Sequence, residues 1–212
     1  MESIKNVLAT LPPTTNTKHP RNTTPPIEDK KVENNYGVIN LRHTFGAFRP
    51  EPGTEAALAA MKNHATGKSD HPLVLIYGGV GNGKTHLLEA TVLTLNLNHV
   101  YTNYYTFAQV IRNLKACMRD GSPITVDEML NRLSTCRSLI IDDIGSGTHD
   151  TAWQNAMLED IVDRRYHAEL LTAMTTNKKL EDLPPRVVSR FGDKAVSVRV
   201  LNAGKDYRKG RE

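Results

Sequence analysis

The sequence predicts an α/β fold in which helices cover both faces of a parallel β-sheet. Short apolar runs with the length and composition of buried strands recur along the chain. Segments with apolar residues at helical spacing lie between most of them, and such alternation gives parallel strands joined by right-handed crossovers. A glycine-rich turn also follows the first run directly, as at the edge of many α/β sheets. The predicted strands are 73–77, 99–103, 138–143, 170–175 and 195–200.

The composition divides the chain into three parts. Five of the 11 prolines lie within residues 1–35, where apolar residues are few, so we expect this segment to be disordered. Its first residues, 1–11, suit either a short helix that docks on a partner or an untethered end. We expect one globular domain over residues 36–204 and a basic tail over residues 205–212.

The helices are predicted from periodicity and from capping residues. Thr54 is positioned to cap a first helix that ends near His64. A second helix follows the glycine-rich turn, and residues 105–118 carry apolar side chains at helical spacing. Thr125 and Glu128 form a capping box for the next helix. The last two predicted helices are 151–166 and a short one within 183–191 that begins at a proline.

The glycine-rich turn, GGVGNGKT at residues 78–85, matches the phosphate-binding pattern G-x-x-x-x-G-K-[ST] at every position. Its glycines let backbone N–H groups surround an anion, and the following helix adds its positive end. Lys84 is predicted to reach the β- and γ-phosphates of ATP, and Thr85 to bind Mg²⁺. The alternative is an ordinary glycine-rich turn. The predicted nucleotide-binding residues are Gly79, Val80, Gly81, Asn82, Gly83, Lys84, Thr85 and His86.

Polar residues end two of the later strands, at the sheet edge where ligands of open α/β folds bind. Asp142 is predicted to bind Mg²⁺ and Asp143 to orient or deprotonate the attacking water. The pair alternatively caps the following turn. Thr176 and Asn177 suit a contact with the γ-phosphate or the water, although asparagine after a strand is usually turn chemistry.

Two further pairs of residues leave alternatives open. Arg186 and Arg190 lie four residues apart on the short predicted helix. They are either surface charges or include an arginine that reaches the nucleotide of a neighbouring subunit. Phe45 and Phe48 either line a pocket for adenine or belong to the hydrophobic core.

Composition limits the cellular setting. The net charge of +4 and the pI of about 9.0 are compatible with nucleic acid but do not require it. The mean hydropathy is −0.44, and no apolar run approaches the ~20 residues that span a bilayer. Cys117 and Cys136 lack metal-ligand spacing. We therefore expect a soluble cytoplasmic protein without a membrane partner.

Four segments occur in the order seen in AAA+ ATPases of the DnaA/DnaC clade: GVGNGKTHLL, LIIDDIG, TTN at 175–177 and RVVSRF at 186–191. The chain most resembles replicative helicase loaders of the DnaC/DnaI type, and it is also similar to the IstB transposition helper. Asp206, Tyr207 and Arg208 are similar to the D-x-Y-R ending of several loaders. The resemblance implies a P-loop NTPase three-layer sandwich with a central five-stranded parallel sheet and a helical lid that is reduced or absent.

The resemblance also implies roles for individual residues. Lys84 and Thr85 match the Walker A lysine and metal ligand, and Asp142 matches the Walker B aspartate. Asp143 stands where many members have glutamate, which shortens the reach to the water. Asn177, with Thr176, matches sensor 1.

Arg190 matches the arginine finger, with Arg186 as its upstream partner, which implies head-to-tail self-association. Sensor 2 is left unassigned, and Arg208 is a candidate for it.

The function implied first is that of an ATPase that loads a DnaB-type replicative helicase onto single-stranded DNA. Arg112, Lys115 and Arg119 suit contacts with DNA or simply form a solvated face. The alternatives are an IstB-like helper that binds duplex DNA, a P-loop small-molecule kinase, and a nucleotide-gated binding module with negligible turnover.

Overall fold

The computed structural model describes residues 31–34, 37–146 and 151–208. Residues 147–150, most of the segment 1–35 and the end of the tail lie outside these ranges. In chain order the elements are β1 (Lys31–Asn34), β2 (Gly37–Asn40), α1 (Glu55–Ala65), β3 (Leu73–Tyr77), α2 (Lys84–Leu97), β4 (Thr102–Thr106), α3 (Phe107–Cys117), α4 (Val126–Thr135), β5 (Ser138–Asp142), α5 (Ala152–His167), β6 (Leu171–Thr176), a 3₁₀ turn (Leu180–Asp182), α6 (Pro185–Gly192) and β7 (Ser197–Leu201).

Five strands form one parallel sheet in the order β4-β5-β6-β3-β7, which confirms the predicted fold class. The phosphate-loop strand β3 lies between β6 and β7 and pairs with both, so that Leu75 is opposite Met174 on one side and Arg199 on the other. Because all five strands run the same way, their carboxyl ends share one edge. The loops that carry the predicted site residues follow β3, β5 and β6 at that edge.

The core has two layers, one on each face of the sheet. Alternate residues of β3 enter different layers: Leu73 and Leu75 pack with α3 to α6, whereas Val74 and Ile76 pack with α1 and α2. All four side chains are fully buried. A strand buried on both faces requires a continuous apolar run, which explains why β3 lacks the apolar–polar alternation of a half-exposed strand.

One local prediction is wrong, and another is confirmed only in part. The second strand begins at Thr102 rather than His99, because α2 continues to Leu97 and the chain then turns at His99 (φ 59°). The Val100 N–H donates to the Leu95 carbonyl and closes that helix end. Thr54 is the N-cap residue of α1, as predicted, but its side chain makes no capping hydrogen bond. Its hydroxyl instead donates to the Glu51 carbonyl at 2.7 Å and accepts from the Glu51 N–H at 2.9 Å.

The structure adds detail at both ends of the domain. Strands β1 and β2 form an antiparallel pair that the sequence does not predict, and β1 falls within the segment 1–35. After β7 the chain continues as irregular structure to Arg208, with no helix in this described part. None of the helices in the ranges given above is long and apolar enough to cross a membrane.

His64 on α1 makes the stability of the fold sensitive to acid. Its side chain is buried, and neither ring nitrogen has a hydrogen-bond partner of good geometry among the described residues. Burial lowers the pKa of His64 from 6.5 to about 4, an effect that the backbone of His71 partly opposes. The unfolded chain therefore binds this proton at a higher pH than the folded protein does.

We expect the wild type to lose about 3 kcal/mol of unfolding free energy through His64 as the pH falls from 6.5 to 4. The sign follows because the unfolded state binds more protons across this window. His64→Leu removes the group and should flatten that part of the pH profile, measured by urea unfolding. His167→Leu, at an exposed histidine, is the control and should leave the profile unchanged. Parallel profiles for His64→Leu and the wild type would refute the assignment.

Candidate functional site

The phosphate loop joins β3 to α2, the strand–loop–helix context that the motif requires. Gly78 and Gly81 have positive φ angles of 146° and 75°. A Cβ atom on Gly78 would lie 2.2 Å from the Asn202 carbonyl oxygen, and one on Gly81 would lie 1.8 Å from an Asp206 carboxylate oxygen. Glycine is therefore required both for the backbone angles and for the close approach of the carboxyl-terminal segment. Val80, at the loop tip, is exposed.

Lys84 is the first residue of α2, and its buried ammonium group lies within the loop. It donates to the carbonyls of Gly78 (3.0 Å) and Gly79 (2.5 Å) and to Oδ1 of Asn82 (2.9 Å). Burial lowers its pKa from 10.5 to about 8, although the charges of Asp142 and Asp143 oppose that shift. Because this pKa is about 8, the Lys84 side chain changes from charged to neutral as the pH rises into the mildly alkaline range.

Asp142, the last residue of β5, is held by hydroxyl groups from three other elements. The Thr85 hydroxyl donates to its Oδ2 at 2.7 Å, and the Thr175 hydroxyl donates to its Oδ1. The Tyr104 hydroxyl lies 3.5 Å from Oδ2, and burial together with Asp142 raises the pKa of that tyrosine. The two predicted metal ligands, Thr85 and Asp142, are therefore in direct contact.

Asp143 adopts a left-handed conformation (φ 60°) directly after the strand. Its N–H donates to the Thr175 hydroxyl at 2.9 Å, and its Oδ1 accepts from Nδ2 of Asn177 at 2.6 Å. Burial, and then the charge of Asp142, raise the pKa of Asp143. The Thr176 hydroxyl donates instead to the Ile144 carbonyl. The structure thus joins Asn177 to Asp143 and assigns Thr176 a purely structural bond.

Thr175 is the site residue that sequence reasoning missed. It accepts from the Asp143 N–H and donates to the Asp142 carboxylate, so one hydroxyl group fixes both acids. The strand pairing is what reveals its role. Ile141 of β5 is opposite Met174 of β6, which places the next residues, Asp142 and Thr175, side by side. That register is not visible in the sequence of either strand alone.

A cluster of aromatic rings borders the loop on the other side. Phe48 is buried, packs edge-to-face with His86 (5.2 Å between ring centroids), and would be 2.7 Å from a Cβ on Gly83. His86 also stacks on His43 at 4.3 Å. Phe48 therefore belongs both to the core and to the wall beside the loop, whereas Phe45 packs on the core layer of α1 and α2.

The segment after β7 covers the phosphate loop, a position that the predicted basic tail does not imply. Asn82 and Asn202 exchange two hydrogen bonds: the Asn82 amide donates to the Asn202 carbonyl at 2.6 Å, and the Asn202 amide donates to the Asn82 carbonyl at 2.9 Å. The Tyr207 N–H donates to the Gly81 carbonyl, and its hydroxyl to the Arg49 carbonyl. The contacts with Asn202 fix Asn82, the loop residue whose side-chain oxygen also accepts from Lys84.

Arg190 lies apart from this cluster. Its Nε donates to Oδ1 of Asp163 at 2.6 Å, and its guanidinium carbon is 4.7 Å from the centroid of the Tyr166 ring. Both partners belong to α5 rather than to the phosphate loop. Arg186, in the first turn of the same helix, is exposed. Within one chain the structure therefore unites Lys84, Thr85, Asp142, Asp143 and Asn177 and leaves Arg190 outside.

A parallel sheet with a phosphate loop after one of its inner strands, and with paired acids at the end of another strand, defines a P-loop NTPase. A family model for the bacterial DnaA ATPase domain matches residues 39–197. The replicative helicase loader DnaC of Escherichia coli K12 is 31% identical over 169 residues, which cover 78% of this chain and 68% of that protein. The chain belongs to the DnaA/DnaC family of bacterial AAA+ ATPases.

Solved structures agree on the fold. The crystal structure of a DnaC helicase loader matches with a TM-score of 0.65 and 20% identity, over 76% of this chain and 97% of that one. The replication initiator DnaA bound to AMPPCP and single-stranded DNA matches with a TM-score of 0.63 and 21% identity, over 76% and 50%. The chain spans about half (51%) of the length of the DnaC loader from Buchnera aphidicola subsp. Baizongia pistaciae, to which it is 29% identical over 126 residues.

We expect nucleotide affinity to fall above pH 8, because the pKa of Lys84 is lowered to about 8 and phosphate binding requires the charged ammonium. Binding then takes up a proton, so the Kd should rise by up to ~10-fold per pH unit. A fluorescent ATP analogue titrated at several pH values measures this. Lys84→Arg stays charged throughout and is the control, with a flat profile expected. Equal slopes for the two proteins would contradict the prediction.

Proposed function

We propose that this protein is an ATP-dependent loader that places a DnaB-type replicative helicase onto single-stranded DNA. The observation that carries the proposal is the 31% identity with the E. coli loader DnaC across 68% of its length. A DnaC helicase loader also has the same fold across 97% of its chain. The following roles are assigned to the residues on this basis.

The Lys84 ammonium and the loop N–H groups bind the phosphates of ATP, as the bound AMPPCP of the related DnaA supports. Asp142 and Thr85 fit Mg²⁺, since a carboxylate and a hydroxyl group in contact at 2.7 Å supply the oxygen ligands that this ion prefers. When bound, the ion would neutralise charge that develops on the phosphates. Thr175 keeps the Asp142 carboxylate in place for this role.

Asp143 and Asn177 act on the attacking water. Their side chains are joined at 2.6 Å, which holds the carboxylate in one orientation. The raised pKa of Asp143 makes it a stronger proton acceptor than an ordinary aspartate. Hydrolysis is completed at a contact between subunits, where Arg190 of one subunit reaches the nucleotide of the next. An arginine that acts on the nucleotide of the next subunit requires the subunits to associate head to tail.

Single-stranded DNA is bound by basic residues on the exposed side of α3 and just beyond it. Arg112, Lys115 and Arg119 are all exposed; Arg112 and Lys115 lie three residues apart on one face of α3, and Arg119 follows just after the helix ends. The single-stranded DNA bound by the related DnaA supports this ligand.

The test is helicase loading in a purified system. A DnaB-type helicase, single-stranded DNA circles coated with binding protein and ATP are combined with this protein, and helicase retained on the DNA is counted after gel filtration. We expect wild-type protein to load the helicase, Lys84→Ala to fail, and Lys62→Ala, at an exposed lysine on α1, to behave as wild type. Preference for duplex DNA and absence of loading would overturn the proposal in favour of a transposition helper.

A further inference from the structure

We infer that Asp163 and Tyr166 are positioning residues that hold the Arg190 guanidinium ready for the nucleotide of a neighbouring subunit. The inference rests on the proposed function, because it requires Arg190 to act in trans. It adds two residues of α5 to a site that is otherwise built from loops at the sheet edge.

The contacts fix the guanidinium group in two ways. Its Nε–H donates to Oδ1 of Asp163 at 2.6 Å, and its central carbon lies over the Tyr166 ring, 4.7 Å from the ring centroid. The hydrogen bond from Nε and the cation–π contact together restrict the direction of the group. The Arg190 side chain nevertheless stays 31% exposed.

The edge formed by the two terminal nitrogens has no hydrogen bond or ion pair in the described part of the chain. A guanidinium that serves only as a structural partner commonly engages a carboxylate with two parallel N–H groups. Here Asp163 takes Nε alone, and its second oxygen lies 3.7 Å from the His167 ring. The donors that would grip a phosphate are therefore the ones left available.

Hydrogen bonds also hold the Tyr166 ring and the end of α6 in place. The Tyr166 hydroxyl donates to Oδ2 of Asp193 at 2.5 Å, so the ring does not swing away from the guanidinium. The Arg190 carbonyl accepts from the Ser197 hydroxyl at 2.6 Å, which ties the end of α6 to β7. A side chain ordered in this way loses less conformational freedom when it engages the next subunit.

The experiment is a subunit-mixing assay of ATP hydrolysis. Lys84→Ala lacks a working phosphate loop but offers Arg190, and Arg190→Ala offers the loop but lacks the arginine. We expect each to be inactive alone and the mixture to regain activity at mixed contacts. When the first partner is replaced by the double variant Lys84→Ala/Asp163→Ala, we expect the regained activity to fall at least ~10-fold.

The matched control is Lys84→Ala/Asp160→Ala. Asp160 is one turn earlier on α5 and pairs with Arg164, not Arg190, so it should complement as well as Lys84→Ala alone. Lys84→Ala/Asp163→Asn keeps an oxygen that accepts from Nε and should restore most activity. Lys84→Ala/Tyr166→Phe should retain the ring contact and Lys84→Ala/Tyr166→Leu should lose it. The loss must appear in kcat, with the KM for ATP unchanged, since the tested subunit supplies no phosphate loop.

The outcomes separate the two proposals. If Lys84→Ala and Arg190→Ala fail to complement each other, Arg190 does not act in trans, and both the shared site and this inference fall. If they complement and the Asp163→Ala double variant complements equally, only the inference is overturned. Should Asp163→Ala fail to fold, the Tyr166→Leu and Tyr166→Phe pair decides the question, since equal activity of those two would overturn it.

Discussion

Replacing Arg190 with alanine is expected to lower ATP turnover by about 10³-fold while ATP affinity changes little, the effect typical of a lost arginine finger. The reason is that Arg190 contacts Asp163 and Tyr166 on α5 and makes no contact with Lys84 or Asp142 in its own chain. Binding by the intact loop is therefore retained, and stabilisation of the transition state is lost. Wild-type turnover per subunit should rise with protein concentration, and that rise should vanish in the variant.

The measurement is steady-state hydrolysis across a range of protein concentrations, with binding of a fluorescent ATP analogue measured in parallel. Arg164→Ala is the matched control, because Arg164 is an exposed arginine whose partner is Asp160 on the same helix. We expect it to behave as wild type. Wild-type turnover by Arg190→Ala, together with a specific activity independent of concentration, would exclude a site shared between subunits.

Asp142→Asn is expected to lower Mg²⁺-dependent turnover by about 10² to 10³-fold, because an amide lacks the charge that attracts the ion and places N–H donors against neighbouring hydroxyl donors. Both carboxylate oxygens accept such donors, Oδ2 from Thr85 and Oδ1 from Thr175.

Thr175→Val removes only the hydrogen bond to Oδ1 of Asp142 and should cost about 10 to 100-fold in activity or in the Mg²⁺ concentration required. Turnover measured across Mg²⁺ concentrations gives both effects.

The neighbouring threonine provides the control for this series. Thr176 is equally buried, but its hydroxyl donates to the Ile144 carbonyl and does not reach the acids. Thr176→Val should therefore lower stability by about 1 kcal/mol and leave the Mg²⁺ dependence unchanged. If Thr175→Val shifts the Mg²⁺ dependence no more than Thr176→Val does, Thr175 does not position Asp142.

Elements that depend on neighbouring residues were predictable from the sequence. The phosphate loop was found because its chemistry is local: glycines, Lys84 and Thr85 act within eight consecutive residues between a strand and a helix. The capping box of Thr125 and Glu128 was found for the same reason, and both of its hydrogen bonds are present. The error at the second strand was also local, because nothing in the sequence marks His99 as the residue at which the chain leaves α2.

By itself the sequence determined the α/β class, the phosphate loop and the presence of two acids at a strand end, since each depends on residues close together in the chain. Only the tertiary structure decided that Thr175 rather than Thr176 holds those acids, that Asn202 and Tyr207 bind the phosphate loop, and that Arg190 is held by α5. The physical reason is that these contacts join residues 24 (Tyr166 and Arg190) to 126 (Gly81 and Tyr207) positions apart. Strand order and register bring such segments together, and neither is written in the local pattern of any one segment.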